Sequence, residues 1–232
     1  SKRNYQEYEL PDLIQHTLKS KSNLLLEFSG ERGGRLVGRV LDPLGNLIHD
    51  YDDDFVAVAH AIATRVKYLG SIERVGSVKV GEAVEIPDEP AFFEFVRLSA
   101  KQFSKLLPTP SENDRFLGNA SFRCEDGFPS FRREDMIYVS RRNIDKSLIG
   151  REGFVGVRPD KLPVEYFGNH KPSVDTPIHV ELYRRFPKIN YMLHGHVYIR
   201  DVPKTLNNVP CGGLQEVEEV MRTVPQYAED DR

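Results

Sequence analysis

The chain has 232 residues, of which 39% are hydrophobic and 29% charged, and a net charge of −3. This is the composition of a soluble globular protein, and the charge gives no electrostatic reason to expect nucleic acid or a membrane surface as partner. No apolar run approaches the roughly 20 residues that span a bilayer, no secretory signal is visible, and two cysteines, Cys124 and Cys211, are too few for a disulfide scaffold, so a reducing cytoplasm is the expected setting.

Residues 1–89 read as an α+β extension. Leu24-Leu-Leu-Glu-Phe28 and Arg35-Leu-Val-Gly-Arg-Val-Leu41 are strand-like. Asp42-Pro-Leu-Gly-Asn46 is a turn, with proline setting φ and Gly-Asn supplying positive φ. Leu47 and Ile48 then begin a return strand, which makes a hairpin. The acidic run Asp50-Tyr-Asp-Asp-Asp54 favours a helix N-terminus over Phe55–Thr64. It lacks the glycine and distal glutamate of an EF-hand loop. His60, among apolar residues, is expected to be packed. Ser77 to Ile86 reads as another strand.

Residues 90–232 form the second region. Glu89-Pro90 opens a helix, and Phe92, Phe93, Phe95, Val96, Phe103, Leu106 and Leu107 give it a broad apolar face that implies deep burial. A turn is expected at Glu125-Asp-Gly127. Met136–Ser140 and Gly153–Val157 are strand-like, and a loop carries Gly168-Asn-His-Lys-Pro-Ser-Val-Asp175. Asp175 or Thr176 can cap the next helix, with Pro177 in its first turn. A last helix is expected around Gly213 to Thr223.

The most informative segment is Tyr191-Met-Leu-His-Gly-His-Val-Tyr-Ile199. In a strand, residues two apart point the same way, so His194 and His196 would project side by side, with Gly195 leaving the opposite face uncrowded. Two such imidazoles make half of a divalent metal site, and imidazole suits zinc, copper, iron and nickel. A cupin would want a glutamate soon after the pair and a metallo-β-lactamase an Asp-His, but Val197-Tyr-Ile-Arg-Asp-Val202 supplies neither. No phosphate-binding glycine loop with Lys-Ser/Thr and no Gly-x-Ser-x-Gly elbow occurs.

Lys171-Pro-Ser-Val-Asp-Thr-Pro-Ile-His179, Glu181-Leu-Tyr-Arg-Arg-Phe-Pro187 and Leu193-His-Gly-His196, preceded by Gly118-Asn-Ala-Ser-Phe-Arg123, resemble the class II aldolase/adducin family in order and spacing. The motifs look most like its L-ribulose-5-phosphate 4-epimerase and L-fuculose-phosphate aldolase group. The likeness runs from about Pro90 onward; the first ninety or so residues have no counterpart in it. The resemblance implies an α/β fold, a three-layer α/β/α sandwich around a central, mainly antiparallel sheet. It implies a homo-oligomer, a tetramer with active sites at subunit interfaces. His194 and His196 would bind a divalent metal, usually Zn2+, and Asp175 would be a ligand or a proton-transfer group. Gly118, Asn119, Ser121, Ser173 and Arg142 would contact a carbohydrate or hydroxy-carbonyl substrate. The activity implied is that of a sugar or sugar-phosphate aldolase or epimerase, working through a metal-stabilised enediolate; adducin-type relatives that serve as assembly modules are the alternative.

The chain departs from the family pattern in two places. The second serine of Pro-Ser-Ser is Val174, and the phosphate loop reads Ser140-Arg-Arg-Asn143, with Asn143 where the family has glycine. Glycine there would let backbone amides approach a phosphate closely, so the usual cradle is expected to be weakened. Arg141 and Arg142 either supply charge to an anion or are solvated. The family's third histidine lies on a later strand and no histidine follows His196, so either the sequence ends early or the metal site is incomplete. His170, His179 and Cys211 are the substitutes within the sequence.

Overall fold

The computed structural model describes residues 22–32, 34–105, 116–124, 136–197, 199 and 201–224. The expected turn at 125–127 and Leu106 and Leu107 lie outside these. The chain divides into two units. One contains the described residues up to Ile72 together with Val197–Pro210 and 218–224; the other contains Glu73–His196 and Cys211–Val217.

In the first unit, β1 (Leu25–Arg32), β2 (Arg35–Leu41) and β3 (Leu47–Asp52) form an antiparallel sheet in that order. The Asp42–Asn46 turn closes as its sequence requires. The Asp42 carboxylate accepts from the N–H groups of Leu44 and Asn46, and Gly45 takes φ +84°. Helix α1 (Phe55–Gly70) is capped by Asp54, whose side chain accepts from Val56 N and Ala57 N; the acidic run is a helix cap. His60 is exposed rather than packed, because α1 buries only a narrow stripe that includes Val58 and Arg65. Arg65 bonds the carbonyl and side chain of Asn208.

The second unit is built on a six-stranded sheet ordered β4-β8-β7-β6-β5-β9. Its strands are β4 (Ser77–Gly81), β5 (Asn119–Phe122), β6 (Ile137–Ser140), β7 (Phe154–Arg158), β8 (Val164–Phe167) and β9 (Tyr191–His194). The β4–β8 pair is parallel and the other pairings are antiparallel. β8 follows Pro163 in a stretch that reads as loop. The fold is of the α/β class.

Strand alternation sends successive side chains to opposite faces, and a different helix covers each face. Helix α2 (Pro90–Ser104) packs Phe92, Phe93 and Val96 against Ala120, Phe122, Tyr138 and Phe154. Phe122 is fully buried, with its ring centroid 5.0 Å from Tyr138 and 5.2 Å from Phe154. The α2 apolar face is narrower than its sequence suggests, since Phe95 is 56% exposed. On the other face, helix α3 (Thr176–Arg185) packs Val180 and Tyr183 against Ile137, Val139, Val155, Val157, Val164 and Tyr166. Helix α4 (Gln215–Thr223) is the last described. No described helix is long and apolar enough to cross a membrane.

Candidate functional site

The site lies on the α3 face of the six-stranded sheet. Asn119 and His194 are direct partners across the β5–β9 ladder, so their side chains leave the sheet on the same face. Ser121, two residues along β5, shares that face. The loop into α3 brings Asp175 to them. Asp175 occupies the N-cap position of α3, yet its carboxylate makes no capping bond. It is diverted into the site, where Oδ2 accepts from Asn119 Nδ2 at 2.7 Å and lies 3.3 Å from His194 Nδ1.

The network fixes the His179 tautomer and biases that of His194. The Asn119 amide oxygen can only accept, so His179 Nε2–H donates to it. His179 Nδ1 then accepts from the Ser121 hydroxyl at 2.6 Å, and Ser121 Oγ accepts from Tyr183 Oη–H at 3.0 Å. His194 Nδ1 has Asn119 Nδ2, which can only donate, at 3.1 Å and Asp175 Oδ2, which can only accept, at 3.3 Å; the carboxylate charge favours the proton on Nδ1, facing Oδ2. That leaves the His194 lone pair on Nε2, the arrangement a metal-ligating histidine needs.

The same contacts set the charges. Burial pushes the Asp175 carboxyl up, but the His194 hydrogen bond and the nearby histidines outweigh it, and the net shift is downward. Burial pulls His194 down, yet its bond to Asp175, the Asp175 charge and the Glu216 charge raise it overall. His179 is lowered to about 4, first by burial and then by His194. Burial lowers Lys146 to about 8. Glu216, near the start of α4, is raised, chiefly by burial and also by the Asp175 charge, against the pull of His194. Glu216 therefore stands in the electrostatic field of the site. No sequence motif singled it out, because nothing local separates it from Glu218 and Glu219.

β9 stops at His194 rather than running to Ile199. Its partner β5 begins at Asn119, and Gly118 before it has φ +76°, so no ladder continues. The His194 and His196 rings are still neighbours, with centroids 5.1 Å apart and planes 34° apart. Gly195 does not face empty space. A Cβ there would lie 2.6 Å from the Phe103 ring. Gly118 is equally constrained: besides its φ, a Cβ would meet the His194 carbonyl oxygen at 2.4 Å.

The other residues singled out by sequence are placed as follows. Asn119 and Ser121 are buried inside the network. Ser173 is buried and its hydroxyl accepts from Asp175 N at 3.4 Å. Arg142 is exposed, and its N–H donates to Lys171 O. Arg141 Nε is buried without a hydrogen-bond partner among the described residues, as is Asp175 Oδ1. Asn143 adopts φ +60°, so the left-handed conformation that glycine would give this turn is retained; asparagine tolerates it. Val174 is 46% exposed. His170 is exposed, His179 is committed to Asn119 and Ser121, and Cys211 Sγ lies 3.9 Å from His196 Nε2.

The donor set fits one side of a metal site. Two adjacent imidazoles, one oriented by a carboxylate, sit beside a buried carboxylate oxygen that has no partner among the described residues. Among the described residues, no three His, Cys, Asp or Glu side chains form a cluster that would hold an ion without adjustment.

The model of the class II aldolase and adducin N-terminal domain matches residues 102–198. Methylthioribulose-1-phosphate dehydratase of Picosynechococcus sp. is 43% identical over 68 residues, 29% of this chain and 32% of that protein. The protein of the same name from Acidiphilium cryptum is 27% identical over 111 residues, 48% of this chain and 47% of its own length. These matches span a third to a half of the curated relatives. Among solved structures, L-fuculose 1-phosphate aldolase aligns over 49% of this chain and 47% of that one, at 15% identity and a TM-score of 0.33.

Proposed function

We propose that this chain, whose residues 102–198 belong to the class II aldolase and adducin family, is a divalent-metal-dependent lyase that removes water from a sugar phosphate. The observation that carries the reading is the Asp175 carboxylate, held by Asn119, at His194 Nδ1, which leaves the Nε2 lone pair for an ion beside the His196 ring. Two relatives are named methylthioribulose-1-phosphate dehydratase. Their names favour dehydration over carbon–carbon cleavage or epimerisation, and make that compound the first substrate to test.

His194 and His196 would hold the ion, and Zn2+ suits imidazole with carboxylate nearby. When bound, the dication would polarise the carbonyl and the adjacent hydroxyl of the substrate as a Lewis acid. Loss of water from such a compound is a β-elimination. A base takes the proton on the carbon next to the carbonyl, that C–H pair becomes the new double bond, and the hydroxyl on the following carbon leaves as water with a proton from an acid. Asp175 and Glu216 are two carboxylates that their surroundings push in opposite directions, which is the pattern of a base and an acid sharing a site. Asp175 takes the base role and Glu216 the acid role. Asn119 and Ser121 hold Asp175 and His179 in place. The substrate phosphate falls to the Ser140–Asn143 turn, beside Gly118 and Ser173. There the buried donor Arg141 Nε has no partner among the described residues and Arg142 is exposed.

The placement of α2 and α3 on opposite faces supports a three-layer α/β/α arrangement for residues 90–232, with residues 1–89 as an α+β extension. The family resemblance supports a homo-tetramer.

Metal analysis of the purified protein, followed by an assay of water loss from methylthioribulose 1-phosphate, tests the reading. The expected result is roughly one divalent ion per chain and an activity abolished by His194→Ala with fold and oligomer intact. If no divalent ion is present and none binds on addition, the enzyme reading fails and an adducin-like assembly module takes its place.

A further inference from the structure

Phe116 lies three residues before Asn119, and its backbone is gripped from both sides by one turn. Its N–H donates to Asn143 Oδ1 at 2.9 Å, and its carbonyl accepts from Lys146 Nζ at 3.4 Å. Lys146 also donates to Ile144 O at 3.0 Å. Lys146 is only 6% exposed, and among the described residues no carboxylate forms an ion pair with it. An unpaired buried ammonium is costly, so retaining one to bind two carbonyls calls for a reason.

The same turn holds the other limb of the site through its backbone. Arg142 N donates to Lys171 O at 2.8 Å, and Ser140 O accepts from Ser173 N at 3.1 Å. The turn therefore ties together the segment that leads into Asn119 and the loop that leads into Asp175. Those two segments meet in the bond from Asn119 Nδ2 to Asp175 Oδ2. The grip on the Lys171–Ser173 limb is main chain to main chain and indifferent to side-chain identity. The grip on Phe116 depends on two side chains. Asn143 supplies the left-handed φ and an acceptor; glycine would supply only the first.

We propose that Asn143 and Lys146 are positioning residues: by holding both backbone groups of Phe116 they fix Gly118 and Asn119, and through Asn119 they fix the Asp175 carboxylate and the His194 ring. Gly118 transmits the hold without slack, because it is packed against the His194 carbonyl oxygen. The inference rests on the reading that His194 and His196 bind a metal ion, and its test separates the two.

Co2+ affinity is measured by calorimetry for the wild type, Asn143→Asp, Asn143→Gly and Lys146→Met, with His194→Ala as control and urea unfolding of each. Asn143→Asp keeps the acceptor and should bind like the wild type. Asn143→Gly keeps the turn but loses the acceptor and should bind roughly three- to ten-fold more weakly, in line with other outer contacts of metal sites. Lys146→Met should weaken binding similarly while leaving the protein as resistant to urea as before or more so, since it removes a buried charge. A general loss of structure would lower both quantities together. Unchanged affinity in both Asn143→Gly and Lys146→Met overturns the proposal. Should Lys146→Met fail to fold, the Asn143 pair decides alone. If the wild type binds no Co2+, the metal reading fails. The positioning role is then decided by the NMR signal of the Asn119 side-chain amide, which should move in Asn143→Gly and stay in Asn143→Asp; no movement in either overturns it.

Discussion

The two faces of β5 show how differently one strand can be used. Ala120 and Phe122 point into an aromatic layer under α2, and Asn119 and Ser121 point into a polar layer under α3. All four side chains are buried. On the first face, contact is non-directional and stability follows the apolar area removed from water. On the second, each polar atom needs a partner of matching kind, or its desolvation is uncompensated. Asn119 meets that demand by accepting from His179 and donating to Asp175. The aromatic face therefore supplies most of the stability, and the polar face supplies geometry. Substitutions on the two faces should separate these contributions.

The largest effect is expected from Phe122→Ala. Phe122 is fully buried among Phe92, Phe93, Phe154 and Tyr138, so truncation should cost roughly 3–5 kcal/mol. Denaturant unfolding reads the loss. Metal affinity of the fraction that remains folded should be close to that of the wild type. A large drop in affinity, with stability retained, would break the division between the faces.

The next effect belongs to the polar face and depends on pH. His179 is held neutral, with its pKa lowered to about 4 from 6.5 by burial and by His194. The unfolded chain then binds more protons than the folded one between those values, so His179 contributes a stability that is full above pH 6.5 and lost as pH falls through about 4. At about 1.4 kcal/mol per pKa unit, the loss is on the order of 3 kcal/mol. Asp175, also lowered, acts in the same direction. His194, which is raised, acts in the opposite one, contributing stability that is lost as pH rises through its folded pKa. The clean measurement is therefore a difference. The stability gap between the wild type and His179→Gln should narrow as pH falls from 7 to 4, and a gap that stays constant would show that His179 does not titrate this way.

Much of this division was legible in the sequence. Gly118-Asn119, Ser173-Val-Asp175 and His194-Gly-His196 belong to three separate segments, and the fold brings them together because alternation puts Asn119 and His194 on one face and Pro177 starts a helix just after Asp175. The cap at Asp54 and the turn at Asp42 were also readable, because local backbone bonds decide them. What could not be read depends on distant partners. Asp175 looks like a helix cap, and only Asn119 and His194 explain why it is not one. Glu216 lies in a helix whose acidic residues read alike, and only the fold puts it in the field of His194 and Asp175. His60 has apolar sequence neighbours, but in a helix those neighbours lie on other faces. Asn143 reads as a lost glycine until its φ is known.

Gly195→Ala tests a smaller term, the tightness of the aromatic side directly behind the histidines. The added Cβ would sit 2.6 Å from the Phe103 ring. Phe103 is a half-buried side chain and can shift, so the expected cost is about 1–3 kcal/mol, the range for modest overpacking. The spacing of the His194 and His196 rings should change with it, read as weaker Co2+ binding. A neutral substitution in both measures would mean that the aromatic face yields without disturbing the site.

The smallest effect is expected from Ser121→Ala, on the polar face. The Ser121 hydroxyl donates to His179 Nδ1 and accepts from Tyr183. Tyr183 retains a second acceptor in Asn190 O at 3.4 Å, so only His179 loses a partner outright. The cost should be about 1–2 kcal/mol, that of one buried hydrogen bond with its acceptor left unpaired. Ser121 is fully buried and its hydroxyl already has two partners, so KM for the substrate should hold steady while thermal or urea stability falls. A raised KM with unchanged stability would reverse the assignment and make Ser121 a substrate contact. His179 would then need another donor, and the polar layer would have to open on binding.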